Sequence, residues 1–234
     1  MSVNEFEREQ AILDAAADLL CRIGYNKLTM GDVADAVALH RGLVYLQFKS
    51  KDELVEATVR RELSRYADTW RAQLEADPQA GSVASVYRAM VHTLTRLPLA
   101  AAIVARDEDI LGKYLRKPGN VFARLPKLGT GDFLLAMQEA GTVRSDVDIR
   151  TAAFVLDALT PAIRRTLPSD RAEPADPDQP SSDELLSTLA DLLERALTPP
   201  EGADLARGKA LLLDELARAR ANFGAEPGRQ EGNI

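Results

Sequence analysis

Apolar side chains recur along this chain at intervals of three and four residues, and the pattern predicts helices almost from end to end. Ile12, Ala16, Leu19 and Ile23 mark a first helix, with Asn4 and Glu7 placed as N-cap and capping box and Gly24 as its stop. A short helix follows Thr29, which can pair with Asp32 as a cap, and carries Val33, Ala34 and Val37 inward. After a turn at 38–40 comes another short helix over 41–46. Ser50 and Glu53 then open one long helix that ends at the Asp77-Pro78 break.

Beyond Pro78 the spacing predicts helices over 82–97 and 99–115, and weaker turns around 121–125 and 132–141. A strongly apolar helix follows over 148–167, with Ala152, Val155, Leu156, Leu159 and Ile163 on one side. Residues 168–182 are rich in Pro and Asp and read as an exposed linker. Leu185, Leu186, Leu189, Leu192, Leu193 and Leu197 then make a wide apolar face that must be buried. One more amphipathic helix over 203–223 turns Leu205, Leu212, Leu216 and Phe223 inward, and 224–234 reads as a disordered tail. The fold class is all-α: a three-helix head, residues 1–50, joined by a long helix to a helical body, residues 51–223.

Composition narrows the function. A net charge of −7 argues against wholesale binding of nucleic acid or anionic membrane, so any DNA contact must be local. A single cysteine, Cys21, makes no internal disulfide and fits a reducing compartment. With no apolar run of membrane-spanning length and no N-terminal signal pattern, a cytoplasmic protein is expected, with no membrane partner. Two histidines, one cysteine and the absence of G-x-S-x-G, P-loop and H-E-x-x-H patterns leave an enzyme as the weaker reading, with neither a metal nor a cofactor expected.

Local charge is found in "ALHRGLVYLQFKSKDEL", residues 38–54. From Ala36 to Lys51 there are three Lys or Arg residues, one His and no acid. Two short helices around a small-residue turn make a helix-turn-helix, whose second helix presents its first residues to base edges in the major groove. Arg41 suits a bidentate guanine contact, worth about 1–3 kcal/mol of discrimination.

The run "VADAVALHRGLVYLQFKSKDEL" resembles, without a gap, the signature of TetR-type (tetracycline-repressor-like) transcriptional regulators, close to "IA..AGVS.GTLY.HF.SK..L". The resemblance is specific over about residues 8–55; the remainder is similar only in being helical and of suitable length. It implies base-edge roles for His40, Arg41 and Leu43, close backbone approach at Gly42, and phosphate roles for Thr29, Tyr45, Gln47 and Lys51. Three positions depart from the pattern: Ala38 stands for the turn glycine, His40 for a small cap, and Leu43 for a threonine. Arg41 and Lys51 also read as solvated charges, and Tyr45 and Phe48 as head core.

For the body the resemblance implies a ligand cavity and a homodimer. Tyr66, Trp70, Tyr87, Met90, Phe133 and Phe154 are candidate lining residues, with His92 and Asp107 as polar anchors, although most residues of the lining kind are simply core. Leu156, Leu159 and Ile163, with Leu185, Leu189, Leu192 and Leu193, are candidates for a four-helix dimer interface. Their alternative is burial within one subunit. The expected function is that of a homodimeric repressor, released from double-stranded operator DNA by a small, largely apolar effector. The alternative is a regulator of the same fold controlled by a protein partner or by no effector.

Overall fold

The computed structural model describes residues 3–123, 129–166 and 180–224. Among them are eleven α-helices, two short 3-10 turns and no strand, so the chain is all-α, a helix-turn-helix head followed by a helical body. The helices are α1 (Val3–Lys27), α2 (Met30–Ala36), α3 (Arg41–Gln47) and α4 (Lys51–Ala76). After them come α5 (Val83–Arg96), α6 (Pro98–Val104), α7 (Glu108–Leu111) and α8 (Thr130–Glu139). The last three are α9 (Ile149–Thr166), α10 (Ser182–Leu197) and α11 (Leu205–Gly224).

Most predicted elements form where their caps require. Four features differ. The weak turn expected around 132–141 is a regular helix, α8, at whose start the Asp132 carboxylate accepts from the Gly129 amide at 3.3 Å. The first helix already includes Val3, so the expected Asn4 cap is not used. Ile23, expected inside, is 38% exposed. The predicted 99–115 helix breaks into α6, α7 and a 3-10 turn, because Arg106 adopts φ +51° and Asp107 starts a new helix. Residues 168–179 of the linker, and the tail from 225, lie outside the described residues, while Ser181 at the linker's end N-caps α10.

The chain divides into two compact units. The first comprises Met1–Ala67, Leu97–Leu125 and Ala219–Ile234, and the second Asp68–Arg96 and Pro126–Arg218. In the first, Ile12, Leu20, Leu28, Val33, Val44, Phe48 and Leu54 form the buried centre of the head. Gly24 interrupts α1 with φ +73°, and a Cβ there would lie 2.6 Å from the Asp109 carbonyl oxygen. The glycine therefore serves both as the predicted stop and as the seat for α7. In the second unit α10 packs on α5 and α8 on α9, burying Leu186, Ala190, Leu193 and Leu197.

Candidate nucleic-acid interface

The helix-turn-helix is built from two side-chain caps. Thr29 Oγ1 accepts from the Asp32 amide at 3.2 Å, and the Asp32 carboxylate accepts from the Thr29 amide at 2.8 Å. This reciprocal box starts α2 and leaves Thr29 exposed beside it. The turn passes through Ala38 at φ +52°, the left-handed conformation for which glycine is better suited. At the start of α3, His40 accepts the Gly42 amide on Nδ1 at 3.2 Å. The imidazole thus takes the place of the small side chain that usually caps this helix. A Cβ on Gly42 would sit 3.2 Å from that same Nδ1, so the glycine leaves room for the capping ring.

Val44 and Phe48 hold α3 to the head, and His40, Arg41, Gly42 and Tyr45 are exposed, while Leu43 and Gln47 are half-buried. The Arg41 guanidinium lies 5.5 Å from the centre of the Tyr45 ring and donates to its hydroxyl at 3.3 Å. Leu46, not singled out by sequence, is 79% exposed.

At the start of α4, the Ser50 hydroxyl accepts from the Glu53 amide at 3.1 Å. The Glu53 carboxylate reaches past Ser50 to accept from the Lys49 amide at 2.8 Å. Lys51 donates to the carbonyl oxygens of Tyr25 at 2.5 Å and Leu28 at 2.8 Å, with its ammonium 4.2 Å from the centre of the Tyr25 ring. Burial lowers the Lys51 amine below its ordinary value, against the raising charge of Asp52. Next to it, the Asp52 carboxylate accepts from the Tyr25 hydroxyl and pairs with Lys117. Burial pushes the Asp52 carboxyl up, but the hydrogen bonds from Lys117 and Tyr25 outweigh it and hold the group below the usual range. Tyr114 donates to Glu56 at 2.5 Å, and the Lys113 amide donates to Asn26 Oδ1 at 3.3 Å. The head is thus tied by polar contacts to the segment around residue 115 within its own unit.

The residues expected to line a pocket are not brought together in one unit. Tyr66 and Asp107 belong to the first, and Trp70, Tyr87, Met90, His92, Phe133 and Phe154 to the second. Tyr66 and Tyr87 are buried, and burial pushes the Tyr66 hydroxyl well up. Trp70, Met90, His92 and Phe133 are half-buried. The Asp107 carboxylate, an expected polar anchor, caps α7, accepting from the amides of Asp109 at 2.9 Å and Ile110 at 3.2 Å. One expectation is corrected. Phe154 is 76% exposed, because Ala153 and Leu156 take the inward side of α9.

The dimer candidates divide between two faces. Leu156 and Leu193 are buried within the chain at 7% and 8% exposure, whereas Leu159 and Leu192 are exposed at 41% and 59%. Leu185 and Leu189 are half-buried, and the Ile163 side chain lies outside the described residues.

Residues 12–58 match the family model described as bacterial regulatory proteins, tetR family. Over 199 residues the chain is 25% identical to the HTH-type transcriptional repressor Rv1474c of Mycobacterium tuberculosis, covering 81% of this chain and 92% of that protein. Its fold is similar to that of the TetR family protein CprB from S. coelicolor, with a TM-score of 0.56, 20% identity, and coverage of 93% of this chain and 98% of the other. It is also similar in fold to a gamma-butyrolactone receptor (ArpA-like protein), with a TM-score of 0.53, 18% identity, and coverage of 94% and 99%.

Proposed function

From the premise that this chain belongs to the tetR family of bacterial regulators and is a DNA-binding transcriptional regulator rather than an enzyme, we propose that it acts as a homodimeric repressor released by a small effector. The observation that carries this reading is the exposed start of α3, held out by the His40 cap and seated on Val44 and Phe48. Residues 1–50 form the operator-reading head, and 51–223 the regulatory and dimerisation body.

In this reading His40, Arg41 and Leu43 meet base edges, and Gly42 allows the backbone close. Arg41 leaves Tyr45 on binding to reach a guanine. Thr29, Tyr45 and Gln47 meet phosphates. Lys51 directs two of its three donors to carbonyl oxygens and keeps the third for a phosphate.

One head reads half an operator, so two must be held about 34 Å apart or a multiple of that. The uncovered apolar residues of α9 and α10, Val155, Leu159 and Leu192 with Phe154 beside them, support pairing with a second copy. The effector would bind in the second unit near Trp70, Tyr87, Met90 and Phe133, with His92 as polar anchor, in a fold shared with a gamma-butyrolactone receptor. It would release DNA by favouring head spacings that the operator does not fit.

Selection of bound fragments from genomic DNA, followed by gel shifts and sedimentation, tests the proposal. A dimer that enriches one inverted repeat supports it. A monomer, or a protein that enriches no sequence, overturns it.

A further inference from the structure

The recognition helix carries an apolar side chain at the place where a groove-reading helix is most exposed. At about 100° per residue, Leu46 stands roughly 160° around α3 from Val44, the residue that seats the helix on the head. No side chain of this helix could face further from the core, and Leu46 is accordingly 79% exposed. Its neighbours on the helix surface are Gly42, about 40° away, and Leu43, about 60° away. Gly42 has no side chain and Leu43 is apolar, so the centre of the outward face is a short aliphatic ridge. Arg41 and Tyr45 lie to one side of it, joined to each other by hydrogen bond and ring contact. Gln47 lies on the other.

An uncovered leucine in the middle of a DNA-facing helix has few complementary surfaces in the major groove. Base edges there present hydrogen-bond donors and acceptors everywhere except at the thymine C5-methyl. A leucine laid against a donor or acceptor would strip it of water without replacing its partner, at a cost in affinity. Against a thymine methyl the same leucine buries apolar surface on both sides.

From this arrangement we infer that Leu46, with Leu43 beside it, reads thymine methyl groups near the centre of each operator half-site, and is a specificity-determining residue of this protein. The inference rests on the DNA-reading function proposed above and adds to it a base and a chemical group. The operator then carries A·T pairs under the middle of α3, and any guanine contact by Arg41 lies towards the helix's first turn.

The test uses the DNA that the wild-type dimer itself selects, amplified once with thymidine and once with deoxyuridine triphosphate, so that only the methyl groups differ. Burying one methyl is worth roughly a fourfold change in affinity, so wild type should bind uracil operator at least about fourfold more weakly per half-site. Leu46→Ala, a change at an exposed position, should keep the wild-type melting temperature, bind thymine operator more weakly, and lose most of the discrimination against uracil. Equal discrimination by wild type and Leu46→Ala would assign the methyl effect elsewhere and overturn the inference, while Arg41→Ala still losing operator affinity would leave the DNA-reading function standing. Wild type indifferent to uracil would overturn it too. A shift in the sedimentation of the DNA-free protein on Leu46→Ala would assign the ridge to contact between copies instead. Failure of wild type to enrich any sequence would remove the DNA-reading function itself, and this inference with it.

Discussion

The ammonium of Lys51 lies 2.5 Å from the carbonyl oxygen of Tyr25 and 4.2 Å from the centre of its ring. A residue that the family resemblance assigns to the DNA backbone is therefore already holding the end of the first helix to the start of the fourth. The two roles make separate demands. Removing the ammonium while keeping the stem, as in Lys51→Met, strands two carbonyl acceptors and should cost about 2 kcal/mol of stability in urea unfolding. If the third donor meets a phosphate, the same variant should also flatten the slope of log affinity against log salt by about 0.9 per head. Stability loss with an unchanged slope would leave Lys51 a structural residue alone.

Beside Lys51, the Tyr25–Asp52–Lys117 cluster predicts how stability follows pH. The Asp52 carboxyl is held below its ordinary value of 3.8, so its contribution is present above that value and fades as pH falls through the lower folded one. Tyr25, pushed up chiefly by burial and then by its hydrogen bond to Asp52, contributes below its ordinary 10.0 and loses that contribution as pH rises through the folded value. Lys117 is raised by its hydrogen bonds to Asp52 and Tyr25 and acts in the same direction, while the lowered Lys51 opposes both on the alkaline side. Asp52→Asn should therefore be less stable than wild type near neutral pH, and the gap should narrow as pH falls below 3.8. Urea melts at pH 7 and pH 3 measure it; a constant gap would show that the cluster's charge contributes nothing.

Ala38 occupies the turn of the helix-turn-helix at φ +52°. Left-handed backbone costs a residue with a Cβ about 1 kcal/mol or somewhat more relative to glycine. Ala38→Gly should raise stability by up to about 1 kcal/mol, which makes it an unusual case of a glycine substitution that stabilises. A fall in the melting temperature would mean that the glycine's extra freedom in the unfolded chain outweighs the relief.

The head was legible in the sequence because its caps are local: Thr29 with Asp32 and Ser50 with Glu53 are chemical pairs three residues apart, and both form. What needed the fold were choices between faces. The leucines of α10 span so wide an arc that periodicity could not separate Leu193, which packs inside, from Leu192, which does not. Nor could it place Phe154, whose size suggests a core that Ala153 and Leu156 in fact occupy. Leu46 escaped notice for the opposite reason. Burial is the default for leucine, and only the position of Val44 on a helix of 7 residues shows it facing out.

His40 combines a local role with an expected base contact, and two substitutions separate them. His40→Ala removes the acceptor from the Gly42 amide and should cost about 1 kcal/mol, whereas His40→Ser restores an ordinary cap and most of that stability. If the imidazole also reads a base, both variants should lose operator affinity alike when compared at temperatures where each is fully folded. Recovery of wild-type affinity by His40→Ser would confine the histidine to capping.

Gly81 and Gly208 interlock in the second unit, and they reverse an ordinary expectation. In an exposed helix interior, glycine to alanine gains about 1 kcal/mol. Gly208 lies in α11, yet a Cβ on it would fall 2.2 Å from the Gly81 carbonyl oxygen and 2.6 Å from the Thr142 side chain. Gly81 in turn sits at φ +119°, and a Cβ there would fall 2.1 Å from the Leu205 carbonyl oxygen. Neither backbone can yield without moving the start of α11 away from the loop before α5, and with it Lys209, whose ammonium donates to the carbonyl oxygens of Glu75 at 3.1 Å and Asp77 at 3.3 Å. Gly208→Ala should thus destabilise by about 2 kcal/mol or more despite its better helix propensity. Lys209→Met, which removes the hydrogen bonds without the clash, should cost less, and the order of the two melting temperatures distinguishes crowding from lost capping.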